Sequence, residues 1–129
     1  MILLDTHVLL WISSDPQRLS KNAREAIREA RQTASLAVAT ITLWELAWLA
    51  QNGRLVISSS PENFVMEAVS RVVLRPMTPQ IVALAARLPA SFPKDPADRV
   101  ITATAMLEGI PLVTADQRIR DAGIVEIIW

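Results

Sequence analysis

Four acidic residues, each beside the end of a short apolar run or the start of a helix, carry the chemistry this chain could do. Asp5 follows Met1-Ile2-Leu3-Leu4, Glu45 comes just after the run from Leu36 to Ile41, Asp98 sits in Asp95-Pro96-Ala97-Asp98, and Asp116 follows Pro111-Leu112-Val113-Thr114-Ala115. Each has an ordinary explanation. Asp5 and Asp116 could cap helices, Glu45 could be the reciprocal partner of Thr42, and Asp98 could be the third-position acid of a helix capped by Asp95, each role worth about 1 kcal/mol. Together they ask for more. Carboxylates brought to ~5 Å repel by roughly 3 kcal/mol per pair at an effective dielectric near 20, a cost that capping does not offset for a whole cluster. Convergence therefore calls for a cation. An all-oxygen donor set, in a chain with no cysteine and a single histidine, suits Mg²⁺ or Mn²⁺ and disfavours zinc. Such ions activate water and neutralise charge on a phosphate, so hydrolysis of a phosphodiester is the natural reaction.

The elements that must position these acids follow from the apolar pattern. Met1 to Leu4 reads as a strand buried on both faces, followed by a short helix through Trp11 that Asp15-Pro16 breaks. Ser20 caps a helix to about Ala34, with Ala23, Ile27, Ala30 and Ala34 on its apolar side. Leu36 to Ile41 is a second strand. Thr42-Leu43-Trp44-Glu45 matches a capping box and starts a helix ending at Asn52-Gly53. Ser60-Pro61 opens another that ends near Arg71, and Val72-Val73-Leu74 is a third strand. Thr78-Pro79 starts a helix that Pro89 closes, and Asp95-Pro96 starts one that runs to Glu108-Gly109. Pro111 to Thr114 and Ile124 to Ile128 complete five strands. Apolar strands without two-residue alternation, separated by helices, predict a mainly parallel sheet covered on both faces. Ligands of such sheets bind beyond the carboxyl ends of the strands, the edge where Asp5, Glu45 and Asp116 fall.

The 129 residues fit one compact domain over 1–129, with no repeat or linker. No apolar run approaches the ~20 residues needed to span a bilayer, and Asp5 falls where a signal peptide would be basic, so a cytoplasmic location without membrane contact is expected. Hydrophobic residues make up 51%, more than a solvated monomer needs, which suggests a face for a partner. Thirteen basic and thirteen acidic residues cancel, so net charge gives a nucleic-acid binder no support. Lys21, Arg24, Arg28 and Arg31 form one basic stripe, but Glu25 and Glu29 lie beside it and a plain solvated face is the simpler reading. His7 reads as a hydrogen-bonded structural residue. Arg99 and Arg118 could each face a phosphate or pair with a neighbouring acid, and Trp44 and Trp48 could be core or interface. An aspartate-nucleophile phosphatase would need a second acid at position 7, and a signal-receiver domain an acid after the third strand; His7 and Arg75-Pro76 supply neither.

Four blocks, Leu3-Leu4-Asp5-Thr6-His7-Val8-Leu9-Leu10-Trp11, Thr42-Leu43-Trp44-Glu45-Leu46, Asp95-Pro96-Ala97-Asp98-Arg99 and Leu112-Val113-Thr114-Ala115-Asp116, resemble in order the signatures of PIN-domain nucleases, closest to VapC-type toxins. The resemblance implies a three-layer α/β/α sandwich with a central parallel sheet and metal-dependent endoribonuclease activity on RNA. It further implies pairing with a small antitoxin, and a homodimer. It places metal-binding and catalytic roles at Asp5, Glu45, Asp98 and Asp116, and positioning or substrate roles at Thr6, Asp95, Arg99 and Thr114, with capping the better reading of Asp95. Pro93-Lys94 and Ala97 depart from the family pattern, which changes loop packing and not the acids. The alternative is a PIN fold kept as a catalytically inactive binding or regulatory module.

Overall fold

Short apolar runs become strands here because helices cover them on both sides. In the computed structural model, which describes residues 1–129, β1 (Ile2–Leu4), β2 (Leu36–Ala39), β3 (Val73–Arg75), β4 (Leu112–Val113) and β5 (Ile127–Ile128) form one parallel sheet in the order β3-β2-β1-β4-β5. Seven helices connect them: α1 (Thr6–Ser14), α2 (Lys21–Gln32), α3 (Ile41–Gln51), α4 (Pro61–Ala68), α5 (Pro79–Arg87), α6 (Pro96–Glu108) and α7 (Gln117–Ala122). Successive strand residues point to opposite faces, and the core divides accordingly. Leu4, Val38 and Val113 pack on one side against Val8 of α1, Ile27 of α2 and Leu46 of α3. Leu3, Ala37 and Leu112 pack on the other against Ile101 and Ala105 of α6 and Ile119 of α7. The expected three-layer α/β/α sandwich is what forms, and its sheet is wholly parallel.

Strand order locates the site. From β1 the chain moves outward through β2 to β3, then returns to the other side of β1 for β4 and β5. Connections leave in opposite directions at that reversal, and in parallel sheets the place for a crevice is beyond the carboxyl ends of the strands there, β1 and β4. Asp5 follows one of these strands and Thr114 the other, and the Asp5 N–H donates to the Val113 carbonyl at 3.0 Å, which sets the two ends in register.

Several boundaries differ from the sequence reading. Helix α1 continues past Trp11 to Ser14, α4 stops at Ala68, and Ala34, expected on the apolar side of α2, lies beyond its end with φ 51°. Helix α7 has no predicted range, but the capping role offered for Asp116 is what forms: Asp116 accepts from the Arg118 N–H at 2.9 Å, and Gly123, with φ 64°, ends the helix. The Thr42–Glu45 capping box does not form. Thr40 is the N-cap of α3, so Thr42 lies inside the first turn with its side chain fully buried.

Arg99 turns away from the acids. Its guanidinium donates to the carbonyls of Ala85, Leu88, Pro89, Phe92 and Pro93 at 2.9–3.4 Å, so the segment between α5 and α6 wraps round one side chain. Pro89 and Pro93 lack N–H donors, and irregular backbone of this kind leaves carbonyls that something must satisfy. The expected choice between a phosphate and a neighbouring acid is thus corrected: Arg99 takes backbone carbonyls instead. Arg99→Ala is expected to cost about 2–4 kcal/mol of unfolding free energy, because several carbonyls lose a charged donor together. Arg99→Lys should recover little, since a point charge cannot replace the planar fork; urea unfolding of both variants checks this.

Candidate active site

Threonines from three elements hold the carboxylates of the crevice. Asp5 is only 8% exposed. Its Oδ2 accepts from the Thr114 hydroxyl at 2.7 Å, and Thr114 Oγ1 accepts in turn from the Asp116 N–H at 3.1 Å. On the other side, Thr6 donates to Glu45 Oε1 at 2.5 Å, and its oxygen lies 3.0 Å from Thr42 Oγ1. A hydroxyl has one proton to give, so with Thr6 committed to Glu45 the Thr42 hydroxyl is the donor of that pair. Thr42 therefore orients Thr6, which orients Glu45. The spacing of Thr42 from Glu45 predicts a cap but fits either role, and only contact with Thr6 decides between them.

Burial and crowding set the protonation of these groups. Burial, resisted by the Thr114 hydrogen bond, raises the Asp5 pKa above the usual carboxylate range. Burial also raises that of Glu45, against the Thr6 hydrogen bond and with the help of the charges on Asp5 and Asp95. Asp98 shows the effect most strongly. Burial first, then the negative charges of Asp95, Asp5, Asp116 and Glu45, push it from 3.8 up to about 7. The Arg118 guanidinium, 3.9 Å from Asp98 Oδ2, does not offset this. Asp116 goes the other way: hydrogen bonds from Arg118 hold it below the usual range. The four acids and Asp95 thus share one electrostatic neighbourhood. Within it Asp95 caps α6, accepting from the Ala97 N–H at 2.9 Å.

No three of the acids stand close enough to cage an ion as their side chains lie. Asp116 is drawn aside to Arg118, while Asp5 and Glu45 are held by separate threonines. The donor chemistry nevertheless fits a hard divalent cation. Mg²⁺ keeps several waters and is usually bound through one or two carboxylates with substrate phosphates, so a loose set of oxygens in a crevice short of positive charge is suited to it.

The surroundings resolve other expectations. His7 is exposed beside Trp11, with ring centroids 6.2 Å apart, and is not part of the hydrogen-bonded frame. Lys21, Arg24, Arg28 and Arg31 lie exposed with Glu25 and Glu29 on α2, the solvated face that was expected. Trp44 and Trp48 are 61% and 43% exposed, with ring centroids 6.5 Å apart, so they are surface and not core. No helix is long and apolar enough to cross a membrane.

The PIN domain family pattern matches residues 2–125. Ribonuclease VapC22 of Mycobacterium tuberculosis (strain ATCC 25618 / H37Rv) is 45% identical over 119 residues, which are 92% of this chain and 89% of that protein. In three dimensions the chain is similar to one in VapBC2 from Rickettsia felis bound to a promoter DNA fragment, with TM-score 0.73 at 14% identity, covering 98% of this chain and 97% of that one. It is equally similar to one in DNA-bound VapBC from Salmonella typhimurium, with TM-score 0.73 at 21% identity, covering 98% and 95%. The two structural likenesses establish the fold, and the sequence matches over nearly the whole chain establish descent: this protein belongs to the PIN-domain family.

Proposed function

We propose that residues 1–129 act as a single nuclease domain that cleaves RNA with the help of Mg²⁺ or Mn²⁺, as the toxin of a toxin–antitoxin pair in the cytoplasm. The observation that carries this reading is the acid cluster beyond the ends of β1 and β4, where Asp5, Glu45 and Asp98 are desolvated together and Arg118 is the sole cation paired with any of the four acids. PIN-domain ribonucleases generally depend on a divalent metal, and the 45% identical relative is named a ribonuclease. Asp5, Glu45, Asp98 and Asp116 would hold the ion. When bound, it supplies Lewis acidity, lowering the pKa of water and neutralising charge that builds on the phosphate. Thr114 and Thr6 each engage one carboxylate oxygen, leaving Asp5 Oδ1 and Glu45 Oε2 without a side-chain hydrogen bond and so available as donors to an ion. The neighbouring structures are of VapBC assemblies, which supports a small antitoxin as partner, and the exposed Trp44 and Trp48 supply apolar surface for a homodimer or that antitoxin.

Purified protein with Mg²⁺ or Mn²⁺ is expected to cut single-stranded RNA and to stop on chelation. Asp5→Ala and Asp98→Asn should each lower the rate by about a hundredfold or more, because a ligand position is lost. Thr114→Val should cost about 10–100-fold through the misplaced Asp5 carboxylate. Intact cleavage in the two acid variants, or none in the parent chain, would overturn the assignment; the second result would leave an inactive PIN-fold binding module.

Stability should report the same charge. The folded chain keeps a proton on Asp98 up to about pH 7, while the unfolded chain releases it near 3.8. Across that window the folded state binds more protons, so this group makes metal-free stability fall as pH rises. Added Mg²⁺ should then raise Tm more near pH 8 than near pH 5.5, by about 5 °C or more at saturation, since proton and ion compete for the same oxygens. Asp98→Asn should flatten both dependences, as read by thermal melts with and without the ion.

A further inference from the structure

Arg118 occupies the place where the acids are short of positive charge. Its Nη2 lies 3.0 Å from Asp116 Oδ2 and 3.9 Å from Asp98 Oδ2, and its Nε lies 3.3 Å from Asp116 Oδ1. The guanidinium thus bridges acids on two elements, Asp98 in the first turn of α6 and Asp116 at the cap of α7. Two features make the bridge easy to undo. The side chain is 69% exposed, so water stands ready to replace either carboxylate. The cap of α7 also does not need the guanidinium, because Asp116 Oδ1 accepts from the Arg118 backbone N–H at 2.9 Å. Arg118 can swing away without unwinding the helix it belongs to. Arg99, held by five carbonyls, has no such freedom.

We propose that Arg118 is an exchangeable counter-ion, which stands on Asp98 and Asp116 in the metal-free chain, yields them to a divalent cation, and then positions a phosphate of the RNA with the freed guanidinium. The inference rests on the metal-dependent ribonuclease reading above. Once the acids belong to the ion, the planar fork loses its partners while still anchored beside the crevice. A phosphodiester brings there the negative, two-oxygen group that such a fork matches. Removing the side chain should therefore change two constants in opposite senses: metal binds more tightly because a competitor is gone, and RNA binds more weakly because a phosphate contact is lost. A purely structural residue at the start of α7 would not produce that opposition.

The test titrates Mn²⁺ into the metal-free protein by calorimetry, with no RNA present, for the parent chain, Arg118→Gln and Arg118→Lys. Cleavage of a single-stranded RNA oligonucleotide at saturating Mn²⁺ then gives kcat and KM. Arg118→Gln is expected to lower the Mn²⁺ Kd by about two- to fivefold, the scale of an exposed ion pair, and to raise KM by about tenfold with a smaller change in kcat. Arg118→Lys keeps a charge without the fork, so its Mn²⁺ Kd should fall between the other two while its KM stays raised; it also serves if Arg118→Gln does not fold. Unchanged or weaker Mn²⁺ binding in Arg118→Gln overturns the counter-ion role, and an unchanged KM overturns the phosphate role. A parent chain that binds no Mn²⁺ and cuts no RNA refutes the functional reading itself. A parent chain that does both, with neither constant moved by the variant, refutes this inference alone.

Discussion

Carboxylate charge buried between two parallel strand ends is the constraint on which the rest of this structure depends. Asp5 is almost wholly desolvated, and Asp98 and Glu45 are partly so, with each acid adding to the field that its neighbours feel. A group in that position remains stable in few ways: it takes a proton, accepts hydrogen bonds, or finds a cation. The crevice uses all three. Protons are held on Asp98 to near neutrality, threonine hydroxyls engage Asp5 and Glu45, and Arg118 partly balances Asp116 and Asp98.

Threonine is the side chain that makes this compatible with a dense core. Thr6, Thr42 and Thr114 are fully buried and fill space much as valine would, yet each hydroxyl is spent on the acid network. Thr114 joins the end of β4 to that of β1, and Thr42 joins α3 to the start of α1. Those links tie carboxylate orientation to the packing of the sheet, so the site is held as rigidly as the layers around it. Thr102, one turn beyond Asp98 on α6, is buried with its hydroxyl unpartnered in the protein.

Two arginines near two of the acids have opposite fates, and the difference lies in the backbone around them. Arg99 is surrounded by a proline-rich segment with carbonyls to satisfy, and its guanidinium is consumed there. Arg118 lies in the first turn of a six-residue helix at the surface, where nothing but Asp116 and Asp98 competes with water for it. Helix α3 shows a comparable split: Leu46 and Ala50 are buried, whereas Trp44 and Trp48 are exposed. The apolar excess of the composition is thus partly spent on exposed surface and not on the core.

Continuous apolar runs between capped helices were enough to determine a parallel, doubly covered sheet, because strands buried on both faces cannot alternate polar with apolar. The same runs determined that Asp5, Glu45 and Asp116 lie at one edge, since a residue following a parallel strand has nowhere else to be. Local pattern could go no further. Whether Thr42 caps a helix or steers Thr6 depends on a neighbour thirty-six positions away, and α7 was too short to show a period. Arg99 and Arg118 could not be told apart, because each stands close to an acid in sequence and only the folded chain shows which has carbonyls to serve. The spacing and protonation of the acids likewise belong to tertiary structure, for desolvation and mutual repulsion arise only once strands distant in sequence pack side by side.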